Sequence, residues 1–165
     1  MVFYVVIRGP WGVGKSTVSE RLAKEIRAEY ISIDRILDEL DLWEAGHLSE
    51  FLRANAFAVE RAQGFLDQGT PVIFDGNFYW KSQIEDLIGQ LDYRHYVFTL
   101  KAPLSICIDR DSRRATPHGS EGATEVYAKS TKFDYGIGLD ATHPIESVVR
   151  EITSHLSQDP DPNKR

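Results

Sequence analysis

The sequence predicts a three-layer α/β/α domain, with a five-stranded parallel sheet between two layers of helices. Apolar, β-branched runs alternate with stretches of helical period along the chain, which is the pattern of successive βαβ units. A glycine-rich turn, Gly9-Pro10-Trp11-Gly12-Val13-Gly14-Lys15-Ser16-Thr17, joins the first of these runs to the first helical stretch. The length of 165 residues suits one domain with a sizeable core. No repeat or second domain is evident. The domain is expected over residues 1–156, with 157–165 a disordered tail by its proline and charge content.

The elements follow in order. Val2-Phe3-Tyr4-Val5-Val6-Ile7 is continuously apolar, as a strand buried on both faces should be. Beyond the turn, Val18, Leu22 and Ile26 recur at helical spacing, and Glu20 stands four residues before Lys24. Further strands are expected at 30–33, 71–74, 93–100 and 135–139. A helical stretch opens at Asp34 and continues through Leu37, Leu40 and Trp43. Residues 47–68 read as a long helix with Leu48, Phe51, Leu52, Ala56, Val59 and Leu66 on its core side and Gly69 as its stop. Pro103 suits the first turn of a helix running to Arg114. Thr116 to Gly122 is polar and full of helix breakers, so it predicts a mobile loop.

Composition narrows the function. No apolar run approaches the roughly 20 residues of a membrane span, and the opening run feeds straight into the glycine-rich turn, which marks a core strand rather than a signal peptide. The single cysteine, Cys107, leaves no internal disulfide and no cysteine-based zinc cluster, which fits a reduced, cytoplasmic setting. A formal net charge of −6 disfavours nucleic acid as a partner. It is compatible with a small anionic molecule in a local basic pocket.

The turn matches G-x-x-x-x-G-K-[ST], a phosphate-binding loop. Gly9, Gly12 and Gly14 let the backbone amides of this stretch, Val13 and Thr17 among them, approach a polyphosphate where a Cβ would obstruct. The helix that follows points its positive end at the same anion. Lys15 supplies a point charge to the β- and γ-phosphates, and the Ser16 hydroxyl is a candidate ligand for Mg²⁺.

In sheets of this class the ligand lies beyond the carboxyl ends of the strands. Asp34 follows the second strand; it is either a helix N-cap or a base that takes the proton of an attacking hydroxyl, and the two roles are compatible. Asp75 ends the third strand and is a candidate metal ligand, with a turn at Asp-Gly-Asn as the alternative. Arg35, Arg53 and Asn77 are candidates for an acceptor pocket. Pairing of Arg53 with Glu50 is the plainer account of that residue, and Trp43 and Asn55 are weaker candidates. Arg110 and Arg114, one helical turn apart, repel each other unless an anion lies between them. Followed by a flexible loop, they make a candidate lid that closes over phosphates and excludes water.

Together these residues resemble the small-molecule kinase branch of the P-loop NTPase fold. That branch includes shikimate and gluconate kinases, chloramphenicol phosphotransferase-like enzymes, adenylate kinase-like proteins and the kinase domain of polynucleotide kinase. The resemblance spans residues 2–156, and its specific part is the stretch from Gly9 to Thr17. It implies the strand order 2-3-1-4-5, ATP and Mg²⁺ as cofactors, and Asp34 as the catalytic base. Arg110 and Arg114 resemble the R-x-x-x-R pair of a short lid at about 115–124, one near the adenine and one on the transferring phosphoryl group. Thr142 to Pro144 resembles the segment that walls the adenine. The lid lacks cysteines, and the Asp-Gly-Asn after the third strand departs from the Gly-Gly-Gly of shikimate kinases, which argues against shikimate.

The expected activity is transfer of the γ-phosphate of ATP to a hydroxyl of a small-molecule acceptor. A nucleoside, nucleotide or polynucleotide 5′-hydroxyl kinase is the alternative within enzymes, and a nucleotide-binding regulator without turnover is the alternative outside them. Thr131-Lys132-Phe133-Asp134 has the form of a guanine-reading N/T-K-x-D motif. It follows a polar, helical stretch instead of a buried strand, and the third strand lacks D-x-x-G, so a signalling GTPase does not fit.

Overall fold

The computed structural model describes residues 2–42 and 46–158. Its strands are β1 (Phe3–Arg8), β2 (Glu29–Ser32), β3 (Val72–Gly76), β4 (Arg94–Lys101) and β5 (Ile137–Asp140). They form one sheet in the order β2-β3-β1-β4-β5 with every pairing parallel, as expected. The helices are α1 (Lys15–Ile26), α2 (Ile33–Glu39), α3 (Leu48–Asp67), α4 (Lys81–Gln90), α5 (Leu104–Ser112), α6 (Ser120–Ser130) and α7 (Ile145–Gln158). Trp43 and residues 159–165 lie outside the described residues. The first two residues of the expected tail, Ser157 and Gln158, belong to α7.

The continuous apolar run of β1 follows from its two buried faces. Tyr4 and Val6 join the core shared with α2, α3 and α4, whereas Val5 and Ile7 join the core shared with α1, α5 and α7. Side chains alternate along a strand, so a central strand needs both parities apolar.

Four local expectations are corrected. Ile33 begins α2 instead of ending β2, and the N-cap is Ser32, whose Oγ accepts from the Arg35 N–H at 3.3 Å. Asp34 is therefore freed from capping. β3 continues through Asp75 and Gly76, which pair with Ile7 and Arg8, so these two residues are strand and not turn, and Asn77 follows the strand end. On α3 the buried positions are Phe51, Ala54, Asn55, Ala58, Ala62 and Leu66. Ala56 is exposed, while Leu48, Leu52 and Val59 are only half-buried. The alanines at four-residue spacing form the packed face, because small side chains let a helix sit close to the sheet. Finally, α5 ends at Ser112, and residues 120–124 of the expected lid are the opening of α6. Only 115–119 are irregular, and Arg114 stands beyond the helix that carries Arg110.

Arg8, at the carboxyl end of β1, is fully buried. It donates to the Ser130 and Phe78 carbonyls at 2.7 and 3.4 Å and to Thr99 Oγ1 at 3.2 Å, with its guanidinium 4.4 Å from the centre of the Phe133 ring. Burial lowers its pKa to about 10, so it remains charged at neutral pH.

Candidate active site

A cavity of about 1140 Å³ opens beyond the carboxyl ends of the strands. One wall is the turn between β1 and α1. Gly12 has φ 77°, and a Cβ there would lie 2.1 Å from the Cys107 carbonyl oxygen of α5. The turn therefore docks on α5 only because this position is glycine. Gly14 caps α1 in the left-handed region at φ 103° and faces the cavity. Docking on α5 also sets Arg110, whose guanidinium donates to the Val13 carbonyl at 3.1 Å and the Ala141 carbonyl at 2.8 Å. Arg110 thereby clips the turn to the connection between β5 and α7.

Lys15 is 7% exposed and donates from Nζ to the Pro10 carbonyl and to Asn77 Oδ1, each at 3.0 Å. The amine stays within the turn, and it lines the cavity. Burial lowers its pKa, and the carboxylates of Asp34 and Asp75 work against that shift. Asn77 is itself buried, and its Nδ2 donates to Tyr79 Oη at 3.0 Å. It holds Lys15 and does not line the cavity, so its expected place in an acceptor pocket is corrected.

Asp75 is 1% exposed and sits behind the turn. Tyr30 Oη donates to its Oδ2 at 2.5 Å. Burial raises its pKa; the Lys15 charge and hydrogen bonds from Tyr30 and Ser16 oppose that. The Asp75 carboxylate thus supports the Ser16 side of the turn from outside the cavity.

Asp34, in the first turn of α2, lines the cavity, and its Oδ1 is buried without a hydrogen-bond partner among the described residues. Burial pushes its pKa up to about 6, Lys15 pulls it down, and Asp75 and Asp38 push it further up. A carboxyl with an unpartnered oxygen at the mouth of a site is built to meet a ligand group.

Of the expected residues, the cavity gathers Gly12, Gly14, Lys15, Ser16, Thr17, Asp34, Arg35, Arg110, Arg114, Thr142 and Pro144. Gly9 does not line it and packs against Leu100, while Val13 is a core side chain that offers only its carbonyl. Arg53 does not line it either, and its expected pairing with Glu50 is replaced: Glu50 accepts from the His47 N–H at 2.9 Å and caps α3. Asn55 ties α3 to α4 through the Gln83 carbonyl and Asp86. Arg35 is paired with Glu20 at 3.3 Å on the surface side.

Sequence reasoning missed Trp11, Ser32, Asp38, His118 and Ile145 in the cavity wall, while His143 falls within the expected segment from Thr142 to Pro144. Trp11 falls at a position that the phosphate-loop pattern leaves free. His118 stacks on it with ring centroids 3.8 Å apart and planes 15° apart. Among the described residues no cluster of three metal-ligating His, Cys, Asp or Glu side chains occurs, and no helix is long and apolar enough to cross a membrane.

Sheet order, turn and cavity define a P-loop α/β domain. The family described as AAA domain matches residues 5–132, and the chain belongs to it. No curated protein sequence matches the chain significantly. Solved structures share the fold. A sugar kinase from Janibacter sp. HTCC2649 is 18% identical, with 97% of each chain covered and a TM-score of 0.78. A gluconokinase from Sinorhizobium meliloti 1021 is 19% identical over 94% of this chain and 91% of its own, at a TM-score of 0.75. The Mycobacterium tuberculosis APS kinase CysC, solved with AMPPNP and APS, is 14% identical over 95% and 98%, also at 0.75. The expected likeness to P-loop small-molecule kinases therefore holds at the level of fold.

Proposed function

We propose that this chain is an ATP-dependent kinase that phosphorylates a hydroxyl of a small molecule. The observation that carries the reading is the unpartnered, buried Asp34 oxygen in the same cavity as Lys15 and the glycine-rich turn. The fold shared with small-molecule kinases supports it.

The residues fit a magnesium-bound nucleotide. Gly14 and the amino end of α1 form an anion cradle, and the Ser16 hydroxyl, backed by Asp75, is a hard oxygen donor. When bound, Mg²⁺ would neutralise charge on the β- and γ-phosphates, with Ser16 as its protein ligand. Thr142 and Pro144, next to Arg110, wall the nucleotide end of the cavity. Lys15 exchanges its Pro10 contact for phosphate oxygens. Arg114 meets charge that develops on the transferring group.

Asp34 accepts the proton of the acceptor hydroxyl as that oxygen bonds to the γ-phosphorus. The bond from this phosphorus to the bridging oxygen breaks, and ADP leaves with the electron pair. The acid–base role requires an ionised Asp34, which holds above about pH 6 in the free protein. Positioning and charge neutralisation supply the rest.

The test is phosphate transfer from γ-labelled ATP across panels of sugars, nucleosides, phenicol- and aminoglycoside-like compounds and short oligonucleotides. Transfer to one small hydroxyl compound, lost in Lys15→Met, is the expected result. Tight ATP binding with no acceptor raising ATP consumption would overturn the kinase reading in favour of a nucleotide-binding regulator.

A further inference from the structure

The irregular segment after α5 is held more firmly than its composition suggests. Asp111, in the last turn of α5, is 1% exposed. Its Oδ2 accepts from the backbone N–H groups of His118 and Gly119 at 3.0 and 3.1 Å, and its Oδ1 accepts from His118 Nδ1 at 2.7 Å. Burial alone would raise this carboxyl, but the hydrogen bonds from the His118 ring and the two amides outweigh it and hold it below its usual range. The His118 ring is thus fixed at one edge by Asp111 and on one face by Trp11 of the phosphate-binding turn.

That arrangement leaves one ring nitrogen, Nε2, for a ligand, on a residue that lines the same cavity as Lys15 and Asp34. A nitrogen donor on a rigid platform, stacked against the turn and lining the same cavity, is placed to meet an anion seated in the turn. We propose that His118 contacts the terminal phosphate of a bound nucleoside triphosphate through Nε2–H, with Asp111 and Trp11 fixing its orientation.

The inference rests on the nucleotide reading above and assigns a residue within it. Between the Asp111 carboxylate and a phosphate oxygen, the ring donates from both nitrogens. The other charged and titratable groups lining the cavity are Arg114 beyond α5, Lys15 on α1, Asp34, Arg35 and Asp38 on α2, Arg110 on α5, and His143 ahead of α7. His118 also acts electrostatically on Asp34. His118 and Asp34 line the same cavity, so the ring is assigned to the terminal phosphate, the one that faces the reacting groups, and not to the β-phosphate.

Calorimetry of the full chain with Mg²⁺ and either ATP or ADP tests this in three proteins: wild type, His118→Phe and His118→Arg. Phenylalanine keeps a ring to stack on Trp11 and removes the donor; arginine keeps charge and donors. His118→Phe should weaken ATP binding about tenfold, the scale of one lost charge-assisted hydrogen bond, and leave ADP binding within about twofold. His118→Arg should hold ATP within about threefold of wild type. Retained ADP binding also shows that the phenylalanine variant is folded. Unchanged ATP affinity in His118→Phe overturns this inference alone. Equal losses for ATP and ADP, or an arginine variant as weak as the phenylalanine one, assign the histidine a shape role and overturn it too. A wild-type chain that binds neither nucleotide overturns the phosphate-site reading and, with it, this inference.

Discussion

The two ends of the cavity are built differently. At the proposed phosphate end the cationic side chains have protein partners and the turn is docked: Lys15 rests on Pro10 and Asn77, Arg110 on Val13 and Ala141, and Gly12 abuts Cys107. At the acceptor end Asp34 keeps a buried oxygen without a partner, Arg35 turns to a surface glutamate, and Asp38 is exposed. The first end is shaped before any ligand arrives, whereas the second carries an uncompensated group and the strain in stability that goes with it. Preorganisation belongs to the part of the substrate that does not change, and unmet valence to the part where bonds form.

Disrupting the shaped end should have the largest effect. Gly12→Ala drives a Cβ into a main-chain oxygen 2.1 Å away, so α5 or the turn must move. We expect ATP binding to vanish in calorimetry and the melting temperature to fall, with a cost of about 2–4 kcal/mol.

Asp34→Asn separates chemistry from stability. Turnover should drop about 10²- to 10⁴-fold while nucleotide affinity stays within a few fold. The folded-state pKa of about 6 lies above the ordinary carboxyl value of 3.8, so the native chain binds more protons than the unfolded one between these values. Stability from this group is present below pH 3.8 and is lost as pH rises through about 6. At pH 8 the asparagine variant should therefore be more stable than wild type, by roughly 1–3 kcal/mol in urea denaturation. A variant that is inactive and also less stable would remove the contrast between the two ends. In wild type, kcat/KM should fall below about pH 6 as Asp34 takes up its proton.

Arg114→Ala is the intermediate case, with an expected loss of about 10- to 10³-fold in kcat and little change in ADP affinity. Arg35→Ala should do least. Its pairing with Glu20 is solvent-exposed, so stability should change by less than about 1 kcal/mol. A KM change for the acceptor beyond about threefold would promote Arg35 from rim to pocket.

The sequence revealed the phosphate end far better than the acceptor end, for a physical reason. A cradle made of main-chain amides demands glycines and a lysine at fixed spacing in one short segment, so the constraint is written contiguously. Sheet order followed from the likeness to P-loop kinases, and the alternating pattern announced its layers. Long-range partnerships left no such trace. Asn77 looked like a ligand contact because it follows a strand, yet it reaches across 62 positions to Lys15. Ser32 displaced Asp34 as the cap because two capping residues stood close together and only geometry chooses between them. On α3, size misled: the large Leu52 and Val59 were assigned to the core, while Ala58 and Ala62 occupy it. The stack of His118 on Trp11 joins a loop to a motif position that any residue can fill, so no pattern pointed to it.

Arg8 has a consequence for how ligands find the site. Its permanent charge is sealed inside the protein one residue ahead of Gly9, where solvent ions screen it poorly. Its field adds to that of the α1 amino end and of Lys15. In a chain whose formal charge is −6 overall, these positive groups are gathered at the mouth of its central strand. For the polyphosphate ligand proposed above, raising the salt concentration should slow capture more than it weakens the final hold.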